Sequence, residues 1–192
     1  MADAKIRVVP VTPGRWKDLV RLFGPRGACA GCWCMYFRLP RSEFDRRVSP
    51  SNRQALRRLV ASGRKPGLLA YLDGEPAGWV ALAPRTDYPL LARSRILAPV
   101  DDRPVWSVVC FFVARRARGH GVTVALLRQA AVFARKQGAR CVEGYPVDPP
   151  RGRFPDTFAY HGVVSAFRQA GYCEVTRRSP TRPIMRLDLE EG

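Results

Sequence analysis

Apolar and polar positions change period several times along the chain, and each change marks an element. "IRVVPV", Ile6 to Val11, is a short extended apolar run and predicts a first strand. In "PGRWKDLVRLF" the residues Trp16, Leu19, Val20 and Phe23 recur at helical spacing, with Pro13 near the start. "SPSNRQALRRLVASG" predicts a helix that begins after Ser51 or Asn52 and stops near Gly63. "GLLAYLDGEPAGWVAL" holds two apolar runs around Asp73, Gly74 and Pro76, the pattern of a hairpin. The polar stretch "APRTDYPLLARSRILAPVDDRP" is a connection with room for a short helix. "VWSVVCFFV", Val105 to Val113, is apolar at nearly every position, as in a central strand buried on both faces. Helical spacing returns from Gly121 to Gln137, with Val124, Leu127, Ala131 and Ala134 on one stripe and Gly138 as the stop. "ARCVEGYPV" is a further strand, "VDPPRGRFPDTF" a loop and "HGVVSAFRQAG" a short helix, and "YCEVTRRS" and "IMRLDLE" close the chain as strands. This alternation predicts an α/β domain with a mixed sheet.

Composition changes the picture in two ways. A chain of 192 residues, nearly half of them apolar, is most simply one globular domain. The start has no signal-like apolar run, and "VVCFFVA" is too short to span a bilayer. A cytoplasmic protein with reduced thiols and no membrane association is therefore expected, and the six cysteines do not read as a disulfide framework. The net charge of +17 favours polyanionic partners. Yet only Lys5, Lys17, Lys65 and Lys136 are lysines and the arginines are spread from end to end, which is also how a coding bias looks. Nucleic acid stays open as a partner, but no motif points to it. Oligomeric state stays open too.

The densest chemical signal is "RRARGHGVTVALL", Arg115 to Leu127. A helix start carries unpaired N–H groups and the positive end of the macrodipole. Glycines let that backbone approach an anion, so the strand–loop–helix unit suits phosphate. The spacing is not G-x-x-x-x-G-K-S/T and not G-x-G-x-x-G with a following acid, so a P-loop NTPase and a dinucleotide fold are disfavoured. There is also no G-x-S-x-G or H-E-x-x-H, which leaves hydrolase chemistry without support.

"FFVARRARGHGVTVALLRQAAVFARKQGA" resembles the acyl-coenzyme A signature of the GNAT superfamily of N-acyltransferases. The signature residues here are Arg118, Gly119, His120, Gly121, Val122 and Thr123, with Thr123 in place of the usual final small residue. The hairpin "YLDGEPAGWVAL" and the segment "VVSAFRQAGYCEV" follow the order of that family, and "CWCMYF" is similar to one of its bacterial branches. The resemblance implies a single domain over 1–192, with a mixed, mostly antiparallel sheet of six to seven strands flanked by about four helices. It implies an N-acetyltransferase that moves an acetyl group from acetyl-coenzyme A to a primary amine by direct attack. The pantetheine arm would pair with backbone from Phe112 and Val113 to Arg115, in a gap between the 105–113 and 140–147 strands, and the pyrophosphate would rest on the Arg118–Thr123 amides. Trp33 and Tyr36 would shape the acceptor side, with core packing as the alternative. Many members protonate the departing thiolate with a tyrosine where this chain has Phe167. Either another group donates or the thiolate leaves unassisted; a rival reading is a coenzyme A-binding or RNA-binding module with weak or lost transfer.

Three sets of residues complete the candidates. On "ARCVEGYPV" the period of two puts Cys141, Glu143 and Tyr145 on one face. Glu143 is the candidate base and Tyr145 the next suspect, unless Glu143 is a structural carboxylate paired with an arginine. Tyr160 and His161 can each transfer a proton, although a histidine at a helix start is more usually a surface residue. Cys29, Cys32 and Cys34 lack the partners of a four-ligand zinc site, so no metal is expected and buried free thiols are the reading.

Overall fold

A computed structural model describes residues 5–46, 49–149 and 160–189. Seven strands form one sheet: β1 (Ile6–Pro10), β2 (Gly67–Leu72), β3 (Glu75–Pro84), β4 (Trp106–Val113), β5 (Cys141–Gly144), β6 (Cys173–Arg177) and β7 (Pro183–Asp188). Their order is β1-β2-β3-β4-β5-β7-β6. Among the strands of the described residues only β4 and β5 run parallel, and the other neighbouring pairs are antiparallel.

Period-two alternation in β2 and β3 divides the core between the two faces of the sheet. Leu69, Tyr71, Trp79 and Ala81 point to one side, where α1 (Trp16–Phe23), α3 (Ser49–Ala61) and α4 (Pro89–Ala92) lie. Leu68, Ala70, Val80 and Leu82 point to the other, against α5 (Val122–Lys136) and α6 (Val164–Gln169). The buried stripe of α5 is Val122, Leu126, Leu127, Ala130, Ala131, Phe133 and Ala134. It is broader than the expected one, and Val124 sits at its half-buried margin. The mixed, mostly antiparallel sheet is as expected, with six α-helices among the described residues rather than about four. Of the two further ones, both short, α4 fills the room for a short helix in the 83–104 connection, and α2 (Arg41–Arg46) is unforeseen because six residues carry too little periodicity to announce themselves. The third helix starts at Ser49, ahead of the expected Ser51 or Asn52. Most of the loop "VDPPRGRFPDTF" lies outside the described residues. No helix among the described residues is long and apolar enough to cross a membrane.

Candidate active site

The parallel ladder between β4 and β5 is short. It pairs Trp106 with Val142, Ser107 with Glu143 and Val108 with Gly144, and then stops. At that point β4 carries a bulge: on the β3 side Ala81 pairs with Cys110 while the next residue, Leu82, pairs with Val108, leaving Val109 as the extra residue. A bulge bends its strand and raises local twist. From Cys110 to Val113, β4 pairs with β3 alone, so its other edge faces a gap.

A cavity of about 500 Å³ opens along that edge. Cys110, Phe111, Phe112 and Val113 form its β4 wall, and Arg118 and Thr123 lie at one end. Tyr160 and Gly162 line it from the segment before α6, and the loop between α1 and α2 contributes Cys29, Cys32, Cys34 and Tyr36.

The loop leading into α5 begins as a 3-10 turn, Arg115–Ala117, which buries Ala117 and ties Arg116 to the Pro76 carbonyl at 2.9 Å. Gly119 and Gly121 then take φ of +78° and +75°, values that L side chains rarely adopt. Open space lies over both Cα atoms. Gly121 is the N-cap of α5; no side chain caps the helix and no acid occupies its first turn. The start of this 15-residue helix therefore carries unpaired N–H groups with no side-chain cap, beside Arg118 and Thr123 at one end of the cavity. His120 is exposed, and its Nδ1 lies 2.9 Å from the Arg118 carbonyl. Val122 is buried under the sheet, so only its backbone is available to a ligand.

A family model for the acetyltransferase (GNAT) family matches residues 33–150, more than half the chain. The chain belongs to the GNAT acetyltransferase family. Solved structures agree at the level of the fold. An N-acetyltransferase from Staphylococcus aureus Mu50 superposes with a TM-score of 0.55 at 12% identity, covering 97% of this chain and 99% of the other. The yncA protein of Salmonella typhimurium, solved with its cofactor acetyl-CoA, gives 0.54 at 13% identity over 97% and 95% of the two chains. A mosquito protein from Aedes aegypti, described as arylalkylamine N-acetyltransferase 7, gives 0.60 at 14% identity over 96% and 88%. No curated protein sequence matches the chain.

Several expected site residues of this acetyltransferase sit elsewhere. Glu143 is not a lone carboxylate facing the gap. It is fully buried at the closed end of the β4–β5 pair, with Arg85 2.8 Å from Oε1 and Arg186 2.8 Å from Oε2. The Tyr145 hydroxyl also donates to Oε1 at 2.7 Å. Both oxygens are held by guanidinium groups, so the carboxylate sits in a buried ion pair, the structural alternative, rather than standing as the lone carboxylate expected of a base. Tyr145 is equally buried, its oxygen accepting from Arg85 at 2.6 Å and lying 2.8 Å from Ser107 Oγ. Burial and the neighbouring Glu143 charge push its phenol well above the ordinary range. Neither residue lines the cavity. Arg186 continues the network to Asp101, and Arg85 to the Leu97 carbonyl, so the whole assembly fastens the 85–105 connection to the sheet.

Trp33 is 3% exposed, packed on Trp16 and Phe23, with its indole N–H donating to Ser49 Oγ at 3.1 Å. It lines a different groove, between α1 and α3, and not the cavity along β4. Tyr36 does line that cavity, edge-on to Phe37 and Phe44, and its hydroxyl accepts from Arg41 at 3.2 Å. Arg115 is exposed in the 3-10 turn and outside the cavity lining. Phe167 is fully buried against Gly144, Phe111 and Tyr172, on the far side of the strand from Tyr36. His161 is buried rather than on the surface, between the Phe37 and Tyr160 rings. Burial lowers its pKa to about 3, so it is a neutral imidazole. Tyr160 is the group that sequence reasoning undervalued. Its phenol lines the cavity and is raised above the ordinary range by burial, against the opposing pull of Arg182, which hydrogen-bonds it.

Proposed function

We propose that the protein transfers an acetyl group from acetyl-coenzyme A to a primary amine by direct attack. The observation that supports this most is the continuity of three features: the unpaired β4 edge, the cavity beside it, and the uncapped N-terminus of α5 at the cavity's end. An extended pantetheine arm can hydrogen-bond the free β4 edge at Phe112 and Val113. The pyrophosphate then reaches the amides of Arg118 to Thr123, where the helix N-terminus and Arg118 favour negative charge. The acyl end projects toward Cys110, Tyr36 and Tyr160. The acceptor amine enters past Tyr36, attacks the thioester carbonyl, and the carbon–sulfur bond breaks. Tyr160 gives its proton to the departing sulfur, and the phenolate, held beside Arg182, takes back the proton that the new amide nitrogen releases. Proton transfer thus falls to Tyr160 and not to Glu143, and Tyr160 supplies the donor that Phe167 cannot be.

Release of coenzyme A thiol in the presence of a panel of amines tests the reading. Tyr160→Phe should lower kcat by roughly 100-fold, leave coenzyme A affinity unchanged and flatten the pH–rate profile. A Tyr160→Phe enzyme with full turnover would remove the assignment. The second reading, a coenzyme A-binding or RNA-binding module with weak or lost transfer, draws on the charge of +17 and on Phe167, and it calls for little or no thiol release with any amine beside binding of coenzyme A or RNA.

A further inference from the structure

Four of the six cysteines line one cavity, although they come from two distant parts of the chain. Cys29, Cys32 and Cys34 belong to the loop after α1, and Cys110 to β4 just past the bulge. The loop reaches this position through a run of left-handed backbone. Ala28, Ala30, Trp33 and Cys34 take φ of 71°, 46°, 45° and 54°. Non-glycine residues hold such angles only where the surroundings over-determine them. The result is a sulfur-to-sulfur contact: Cys34 donates its thiol hydrogen to Cys110 Sγ at 3.7 Å. Cys32 is hydrogen-bonded to Cys34 in turn, and the Trp79 indole N–H donates to Cys34 Sγ at 3.1 Å. Cys110 is half-buried on the cavity wall, as Cys32 is, and its own thiol hydrogen is donated to the Phe111 carbonyl at 3.7 Å, which leaves its sulfur in direct contact with Cys34. Cys34 behind it is buried.

We propose that Cys34 and Cys110 are a site of reversible oxidation, forming a disulfide across the acceptor cavity when a hydroperoxide enters it. The Cys110 sulfur attacks the peroxide oxygen. The O–O bond breaks, Cys110 becomes a sulfenic acid, and the peroxide leaves as an alcohol or water after taking up the thiol proton. The Cys34 sulfur then attacks Cys110 Sγ. The S–O bond breaks, the Cys34 proton leaves with the hydroxyl as water, and the S–S bond forms. Each sulfur has lost one electron and the peroxide has gained two. The Cys34 thiol is held well above its ordinary range, first by its hydrogen bond to Cys110 and then by burial. Cys34 therefore stays a thiol at rest and must lose its proton as it attacks; that proton lies toward Cys110, where the departing hydroxyl can take it. The bond would tie the 28–34 loop covalently to β4 along one wall of the cavity.

The test uses the full chain, treated with hydrogen peroxide, unfolded in an alkylating agent and mapped by mass spectrometry. A peptide joining Cys34 to Cys110 is expected, with a loss of two of the six titratable thiols and their return under dithiothreitol. Cys34→Ala and Cys110→Ser should each abolish that cross-linked peptide. Cys173→Ser, in exposed β6, should leave it unchanged, and melting curves show which variants are folded. A wild-type cross-link between Cys29 and Cys32 instead, oxidation of Cys110 to sulfinic acid with Cys34 still free, or six thiols surviving a dose that oxidises free cysteine would each overturn the proposal.

Discussion

Glu143 and Tyr160 are both ionisable groups near the parallel strand pair, and their surroundings give them opposite uses. Glu143 faces Arg85 and Arg186 with no solvent, so Glu143→Gln leaves two guanidinium groups short of one charge. Removing one member of a buried pair costs on the order of 3–5 kcal/mol, and the melting temperature should fall accordingly. The pH–rate profile should keep its shape, because the carboxylate takes no proton from the acceptor. A normal melting temperature with a vanished acidic limb would restore Glu143 to catalysis. His161 makes a second prediction. Its folded pKa, about 3, lies below the unfolded value of about 6.5. Between these values the unfolded chain binds the extra proton, so stability falls as the pH drops through that window. Denaturant titrations from pH 7 to pH 4 should show a steeper loss for the wild type than for His161→Phe; parallel curves would mean that other groups govern acid lability. The strand position of Glu143 was legible in the sequence from the period of two. Its partner Arg85 was not, because it lies 58 residues earlier on a connection without periodicity. His161 was misjudged because its place at a helix start says nothing of the Phe37 ring that covers it.

At the scale of elements, the strand–loop–helix unit was the most legible part of the chain. Continuous apolarity, paired glycines and a helical stripe each follow from local physics, and the loop conformation turned out as those residues require. Gly121→Glu tests the unit. It places an L side chain at φ +75° and a negative charge over the start of α5. Coenzyme A affinity should fall at least 100-fold by calorimetry, while the circular dichroism spectrum stays unchanged. Unaltered affinity in the folded variant would remove the phosphate role. The bulge at Val109 was illegible for a physical reason. A bulge shows as a break in alternation, and a strand buried on both faces has no alternation to break. The cavity opens just past that bulge, so its lining was legible only in outline: Tyr36 lies on it, and Trp33, three residues earlier, lines another groove.

At the scale of the whole molecule, the excess of arginine is partly absorbed by the fold. Arg85 and Arg186 serve the buried network, Arg38 binds Asp87 and the Tyr88 hydroxyl, and Arg177 joins Glu174 to Asp148. The remaining positive field should produce sequence-independent RNA binding that weakens by on the order of 1,000-fold between about 50 and 200 mM salt. Filter binding checks this; tight binding that survives physiological salt would favour the RNA-module reading. The gap between β4 and β5 also bears on solubility. An unpaired strand edge is a template for aggregation when it lies on the rim of a sheet. Here the open edge lies between the fourth and fifth of seven strands, flanked by Tyr160 and Gly162 on one side and the 28–34 loop on the other. A slender ligand arm can reach those main-chain groups from the cavity, whereas a second molecule's strand would need an edge on the sheet's rim, which this one is not. The fold therefore keeps a reactive backbone edge exposed to small molecules and shielded from its own copies.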